Sequence, residues 1–405
     1  MRELFLSETH SDPAIGKNVF TQLSLAFPTG LVCSSLQKLK FHSSRHWLPF
    51  LRYFLSPTLA EIEIFATPSN GPFQSPPPAI PILPGSYLRS LQLSLRPADD
   101  EASGKSASAT ILQCGAFLEN LEASVRLSEA AVSHLIGLRH LRTLRIGSDP
   151  PSVPAVPSSD ILPSLESLTL DHGVGHKWLS FLGAAQENSP TETGIRATLT
   201  NLSCLGGITV DPVFISSLCL FPKLTHVLVN GACSKEGGCT FLLTDEDVAN
   251  LADALPEIKR LELGSPCSAN RCHTTALSLF TLSTHCLQLK TLEIHFNTTG
   301  IGHVLDRLFK EPQYGRMRSL PRCPLRYLTV GDTQISTRDM EFVTVYFSGM
   351  FHGLQGFRGG DRKWIEESRK VKLLYNFRLQ IAPDTCIVSA ILLHLFLPAP
   401  DGRRS

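Results

Sequence analysis

The segment from Leu255 to Gly264 reads LPEIKRLELG, and its apolar residues follow the pattern L-x-x-L-x-L at Ile258, Leu261 and Leu263. The second and third of these residues are two positions apart, so both side chains point to the same side of a short β-strand. The first precedes the strand and fills the turn that leads into it. Because one such strand buries too little surface to be stable alone, the pattern predicts a unit that stacks on copies of itself.

The same pattern is found along most of the chain. Its first positions are Leu36, Leu59, Leu88, Leu118, Leu141, Leu165, Leu199, Leu224, Ile258, Leu289, Leu325 and, in a degenerate last copy, Leu354. Successive copies lie 23 to 36 residues apart. The shorter steps match the leucine-rich repeat, which has a period of about 20–29 residues. The longer steps leave room for a full helix or an inserted loop.

Helical connections are predicted between many of these strands, since parallel strands need a crossover of about a dozen residues or more. They are predicted at residues 128–138, 177–186, 248–255, 274–286 and 336–347. Thr244, followed by three acidic residues, is typical of a helix start. We therefore predict an α/β fold, a leucine-rich-repeat-like solenoid (horseshoe) with a parallel strand face and helices or loops outside. The alternative is a generic α/β domain with leucine-rich strands.

The domain organisation follows from where the pattern begins and ends. Residues 36–372 are predicted to form the solenoid, residues 1–35 an N-terminal cap or irregular segment, and residues 373–405 a C-terminal cap or unplaced tail. The stretches 68–84 and 149–163 contain seven and five prolines. Proline removes a backbone donor and fixes φ, so both stretches are predicted to be surface loops. A proline-rich ligand for small recognition domains is the alternative.

Charge and composition exclude several classes of partner. The 405 residues include 37 Lys and Arg against 36 Asp and Glu, which argues against nucleic acid or an anionic membrane as the main partner. No apolar run reaches the roughly 20 residues that span a bilayer. No leader-like segment opens the sequence, so we expect a cytoplasmic or nuclear location. The eleven cysteines are then expected to be reduced, with several of them buried.

No catalytic motif is found, and the sequence predicts neither an enzyme nor a bound cofactor or metal. The strongest chemical candidate is a pair of loops at 233–239 and 267–273, which carry Cys233, Cys239, Cys267, Cys272 and His273. Thiolate and imidazole ligands suit zinc, but the C-x5-C and C-x4-C-H spacings are unusual for structural zinc sites. Packing of small residues in the turns is favoured. A zinc site, a disulfide or redox role, or an enzyme that uses these loops are the alternatives.

The residues that alternate with the leucines are predicted to line the opposite, concave face of the strands. The candidate partner-binding residues on this face are Arg145, Thr169, Asp171, His226, Asn230, Arg260, Glu262, Glu293, His295 and Tyr327. Arg and Tyr are common anchors at protein interfaces, so the C-terminal part of this face is predicted to contact a peptide or domain. The alternative is an ordinary solvated face whose charges neutralise each other.

Three segments carry a resemblance to a known family: FLSPTLAEIEI at Phe54–Ile64, LPSLESLTL at Leu162–Leu170, and the block Phe221–Ile301 with TDEDV, LPEIKRLELG and HCLQLKTLEIHFNT. Through them the region from Phe54 to Phe347 resembles the leucine-rich-repeat portion of fungal (mushroom-type) F-box proteins. Such proteins join an F-box, which docks a Skp-type adaptor in a cullin ubiquitin ligase, to a repeat domain that captures a substrate.

The resemblance implies that this chain is the substrate-recognition part of such a receptor, with a protein substrate on its concave face. An F-box would be a three-helix segment of about forty residues before the first repeat, and none is visible before Leu36. A Skp-type adaptor is therefore expected as a partner only if further residues precede this sequence. A degenerate gene product without a selected function is a third alternative, beside the interaction module and the Cys/His protein.

Overall fold

The computed structural model describes residues 2–7, 22, 25–27, 32–67, 87–95, 101–152, 161–187, 194–231, 241–264, 273–297, 323–330, 351 and 353–358. The chain divides into two compact units, Met1–Gly206 and Gly207–Ser405, called unit 1 and unit 2 below. Both units combine parallel strands with helices. None of the helices among the described residues is long and apolar enough to cross a bilayer.

Unit 1 is built on a parallel sheet. Its described strands are β1 (Glu3–Ser7), β2 (Lys38–Ser44), β3 (Glu61–Thr67), β4 (Ser90–Leu95), β5 (Asn120–Ala123), β6 (Thr143–Ile146), β7 (Ser167–Leu170) and β8 (Asn201–Cys204). Each strand pairs with the next one in chain order. The connections include a 3₁₀ helix (Arg45–Tyr53) and the helices α1 (Glu101–Ile111), α2 (Glu129–Ile136), α3 (Gly175–Glu187) and α4 (Ile195–Thr198).

Unit 2 repeats this organisation. Its described strands are β9 (His226–Val229), β10 (Arg260–Leu263), β11 (Thr291–Ile294), β12 (Tyr327–Thr329) and β13 (Gly356–Arg358). They also pair in parallel and in chain order. The helices are α5 (Pro212–Leu218), α6 (Asp245–Ala254) and α7 (Ala276–His285). The predicted α/β class, with parallel strands that follow one another along the chain, is confirmed.

The apolar pattern forms continuous buried rows, called the ladder below. Leu144 lies opposite Leu168 in unit 1, and Leu261 lies opposite Leu292 in unit 2. From β2 to β12, the second apolar residue of every copy is at most 3% exposed. Burying one such side chain contributes about 1.5–3 kcal/mol relative to leaving it in water. The ladder is therefore the main apolar core of each unit.

Four of the five predicted helical connections coincide with α2, α3, α6 and α7, while the fifth, at 336–347, lies outside the described residues. Helix α6 begins with a reciprocal cap. The Thr244 hydroxyl accepts a hydrogen bond from the Asp247 N–H at 3.3 Å, and the Asp247 carboxylate accepts one from the Thr244 N–H at 2.8 Å. This cap satisfies backbone donors that a helix start leaves unpaired, which is why the Thr-acid signature in the sequence marks the boundary.

The ends of the predicted solenoid contain structure that the pattern only partly marks. Strand β1 lies within 1–35, and its Leu4 and Leu6 face Leu39 and Phe41 of β2. Strand β13 contains Phe357, the second position of the degenerate copy that starts at Leu354, opposite Leu328 of β12. Of the two proline-rich stretches, 68–84 lies outside the described residues, and the described ends of the other, 149–152 and 161–163, form neither helix nor strand.

The ladder makes a direct prediction about stability. Replacing Leu168, which is fully buried in β7, with Ala should lower the free energy of unfolding by about 2–5 kcal/mol, because a cavity adds to the lost burial. The matched variant Ser167→Ala changes the neighbouring, outward-facing residue and should stay within about 0.5 kcal/mol of wild type. Urea unfolding followed by circular dichroism measures both. Equal losses of unfolding free energy in the two variants would contradict the conclusion that the ladder forms the core.

Candidate functional site

The side chains that alternate with the ladder form a polar face in each unit. Parallel pairing places equivalent residues of neighbouring strands in rows, about 4.8 Å apart. We call the stretch from the first apolar residue of a copy to the last residue of its strand a ladder segment. The charges on these segments differ between the two units, and this difference determines what each polar face can bind.

Charges on the polar face of unit 1 are matched one to one. The ladder segments of β2 to β8 contain five Lys or Arg and five Glu. Each cation forms an ion pair with a glutamate of a neighbouring segment. The pairs are Lys38–Glu61 at 2.6 Å, Lys40–Glu63 at 3.2 Å, Arg89–Glu119 at 3.7 Å, Arg145–Glu122 at 2.8 Å and Arg142–Glu166 at 3.2 Å. The ladder segments of unit 1 are thus neutral without a partner.

Arg145 lies at the centre of this network. Its Nη1 donates to Glu122 at 2.8 Å, and its Nε donates to Asp171 at 2.9 Å, so one guanidinium joins three successive copies. The hydrogen bond to Asp171 raises the pKa of Arg145, which keeps the guanidinium charged. The Asp171 side chain is only 12% exposed. Two of the predicted binding residues, Arg145 and Asp171, therefore bind each other, while Thr169, opposite Arg145 in the register, is partly exposed.

Charges on the ladder segments of unit 2 are matched only in part. The ladder segments of β9 to β13 contain five Lys or Arg but only two acids, Glu262 and Glu293. The Nε of Arg260 pairs with Glu262 of its own strand at 2.6 Å. The remaining cations are Lys259, Lys290, Arg326 and Arg358, and none forms an ion pair with another described residue. These segments carry an excess of positive charge.

Three of the predicted residues lie in one row of unit 2. The register aligns His226 with Arg260, and Thr291 with Tyr327, across β9 to β12. His226 and Arg260 are exposed, and Tyr327 is 51% exposed. The Tyr327 ring lies against Gly356, where a Cβ would be only 2.9 Å from the ring. Its hydroxyl donates to the Gln355 side chain at 3.4 Å. These two contacts fix the position of the exposed ring.

Like charges also meet on this face. Glu262 and Glu293 are opposite each other in β10 and β11. Burial, and then the charge of Glu262, raise the pKa of Glu293. Burial, and then the charges of Lys259 and Arg260, lower the pKa of His226. Glu262 therefore opposes the charged form of Glu293 while Arg260 favours it, and the two cations beside His226 oppose its protonation.

His295 is not on the polar face, contrary to the predicted alternation, because it is only 1% exposed. It follows the last residue of β11, where alternation ends, and its ring packs 5.9 Å from that of Phe241. Gly264 adopts a φ of 115°, and a Cβ there would be 2.7 Å from the imidazole. Asn230, which follows β9 in the same way, is exposed. The alternation therefore holds for Asn230 past the end of β9 but fails for His295 past the end of β11.

The alternative cysteine site falls mostly outside the described residues. This applies to Cys233, Cys239, Cys267 and Cys272, whereas His273 is described and exposed. Among the described residues, no three His, Cys, Asp or Glu side chains are grouped to hold a metal ion. The predicted buried thiols are present, since Cys114, Cys204, Cys286 and Cys323 are free and buried.

Burial of these thiols determines their chemistry. It raises the pKa of Cys114, Cys204 and Cys286 to about 12, and that of Cys323 to about 11. A thiol is a nucleophile or a metal ligand only as the thiolate. These four cysteines therefore act as small apolar residues of the core.

No protein-family model matches this chain, and neither does any curated protein sequence. What the chain binds is therefore inferred from its polar faces. The cations and the tyrosine of unit 2 can donate hydrogen bonds and form ion pairs across several strands at once. That arrangement suits an extended protein surface better than a small, enclosed ligand.

The burial of Glu293, with Glu262 opposite it in the register, predicts a particular pH dependence of stability. The pKa of Glu293 is raised from about 4.5, so the folded state binds more protons than the unfolded chain between the two pKa values. The free energy of unfolding therefore falls as the pH rises from the unfolded-state pKa of Glu293 to its folded-state pKa. Above the folded-state pKa this loss stays constant. Glu293→Gln should remove this loss, making the variant more stable than wild type at pH about 7 and its pH profile flatter.

Urea unfolding between pH about 4 and 8 measures this effect. Glu257→Gln, at an exposed glutamate paired with Lys223, is the matched control and should change the free energy of unfolding by no more than about 0.5 kcal/mol. A Glu293→Gln variant that is no more stable than wild type at neutral pH would show that the charged Glu293 carboxylate does not destabilise the folded state.

Proposed function

We propose that this chain is a non-catalytic protein-interaction module, a leucine-rich-repeat-like solenoid that binds another protein through its polar strand face. The observation that carries the proposal is the polar face of unit 2, where Arg260 and Tyr327 are exposed on a row of parallel strands. Arginine and tyrosine are enriched among residues that dominate the binding energy of protein interfaces.

The dimensions of the face support a protein partner. Five strands at about 4.8 Å make a surface roughly 20 Å wide, which is comparable with one side of a standard protein interface. The rows are attached to a ladder whose central residues are at most 3% exposed, so the binding side chains sit on a rigid base. A preorganised surface loses little entropy when it binds.

We propose further that the module is the substrate-recognition part of an F-box-type ubiquitin ligase receptor. The three segments Phe54–Ile64, Leu162–Leu170 and Phe221–Ile301 support this role through their resemblance to the repeat portion of such proteins. A receptor of this kind acts in the cytoplasm or nucleus, and its substrate is a protein rather than nucleic acid or membrane. A Skp-type adaptor would dock on an F-box outside the repeats.

The interaction role predicts the effect of a double variant. Arg260→Ala with Tyr327→Ala should weaken binding of a captured protein by at least about tenfold, because each truncation removes an anchor of the interface. The full chain is used as bait in an extract of its source cells, and the affinity of each captured protein is then measured in purified form. Val213→Ala with Leu277→Ala, at exposed apolar residues of α5 and α7, is the control. If the double variant captures every partner as wild type does, the face is not the binding site.

The ligase role is tested separately with a purified Skp-type adaptor. Co-elution of the adaptor with the chain, or with a longer form that includes upstream residues, supports the receptor role. Capture of a protein through Arg260 and Tyr327 without adaptor binding by either form would leave an interaction module outside the ligase.

A further inference from the structure

We propose that the partner of unit 2 presents an acidic, Asp- and Glu-rich segment to the side chains of Lys259, Lys290 and Arg326, which we call the cation row. This inference rests on the proposed function and specifies the chemistry of the partner. It makes the surface at the strand starts of unit 2 a reader of acidic peptide segments rather than a general contact surface.

The cation row is fixed by the backbone of the ladder. Each of its members immediately follows the first apolar residue of a copy. The Lys290 N–H donates to the Lys259 carbonyl at 2.8 Å, and the Arg326 N–H donates to the Lys290 carbonyl at 2.8 Å. The three side chains therefore start from adjacent strands, about 4.8 Å apart, and span about 10 Å. Lys290 and Arg326 are exposed, and Lys259 is partly exposed.

The same position in unit 1 shows that the fold does not require like charges there. It is occupied in four consecutive copies by residues of alternating sign, Arg89, Glu119, Arg142 and Glu166. Two ion pairs result, at 3.7 Å and 3.2 Å. Like charges on directly adjacent strands are destabilising, whereas opposite charges stabilise the pairing. Three cations in a row in unit 2 therefore have an electrostatic cost that an anionic ligand would offset.

Three acids near the cation row in sequence have partners elsewhere, and the fourth, Glu293, lies opposite Glu262 in the register. Glu257 pairs with Lys223 at 3.4 Å, Glu262 pairs with Arg260 at 2.6 Å, and Asp253 pairs with His285 at 3.4 Å. The lowered pKa of His226, caused by burial and then by Lys259 and Arg260, agrees with uncompensated positive charge at this end of the row.

An acidic peptide segment matches the row in length and chemistry. An extended chain rises about 3.3 Å per residue, so about 10 Å corresponds to three or four residues. Carboxylates suit both the point charge of lysine and the planar fork of arginine. The exposed ring of Tyr327, next to Arg326 in sequence, offers an apolar surface for a hydrophobic residue beside the acids. Nucleic acid fits less well, since its binding is driven by many phosphate contacts and the net charge of the whole chain is only +1.

The test uses fluorescence anisotropy with the full chain and two labelled ten-residue peptides. One alternates Glu and Ser around a central Phe, and the other has Gln in place of every Glu. The Glu peptide should bind at least about tenfold more tightly than the Gln peptide, and its affinity should fall as salt is added. Lys259→Gln with Lys290→Gln and Arg326→Gln should weaken binding of the Glu peptide by about tenfold or more.

A variant with the same change in charge is available in unit 1. Lys38→Gln with Lys40→Gln and Arg142→Gln removes three cations that already have glutamate partners and should leave the peptide affinity unchanged. Unfolding curves confirm that both triple variants are folded. Equal loss of binding in the two triple variants, or equally tight binding of the Gln peptide or of a single-stranded oligonucleotide, would overturn the proposal.

The inference and the proposed function can fail independently. If binding of a captured protein requires Arg260 and Tyr327 but is unchanged in the cation-row variant, the proposed interaction face is supported and the acidic-segment inference is wrong. If capture is insensitive to Arg260 and Tyr327, the proposed function itself falls.

Discussion

Burial of aliphatic side chains in stacked rows is the interaction on which the rest of the structure depends. A four-residue strand such as β7 places only two side chains in the core, and neither could hold the strand in place without a neighbour. Parallel pairing lets each copy cover the next, so Leu144 packs beside Leu168 and the row continues along the unit. The helices and loops are consequences of this arrangement, because every parallel step must return the chain to the same end of the sheet.

The ladder also determines where charge can be placed. Once alternate residues are committed to the core, those between them are forced onto one face in rows about 4.8 Å apart, where like and opposite charges meet directly. In unit 1 the opposite charges pair with one another, and Arg145 pairs with both Glu122 and Asp171. In unit 2, by contrast, Lys259, Lys290 and Arg326 follow one another without an acid. We infer that unit 1 uses its polar face for cohesion and that unit 2 keeps its face for a partner.

Spacing alone predicts the strands and most of the connecting helices, because the ladder depends on residue type at fixed positions. It does not identify β1, whose L-x-L is preceded by Met1 instead of a leucine at the first position. Nor does it find α1, which has no apolar stripe and whose Ser, Gly and Thr residues have low helix propensity. On the polar face, alternation places Arg260 and Tyr327 correctly but fails at His295, which follows β11 and is buried in the core. Predicting which side chains meet in space, as Arg145 meets Glu122 and Asp171, also requires the register of the strands.

Cysteine cross-linking measures the register of the ladder most directly. Thr143 and Ser167 are opposite each other in β6 and β7, so Thr143→Cys with Ser167→Cys should form a disulfide on mild oxidation. Thr143→Cys with Thr169→Cys shifts the pairing by two residues and separates the Cα atoms by about 8 Å, beyond the reach of a disulfide. The account predicts a cross-link in the first variant and none in the second, as read by mass spectrometry of proteolytic fragments. A cross-link in the shifted pair alone, or in neither, would contradict the stacked parallel ladder.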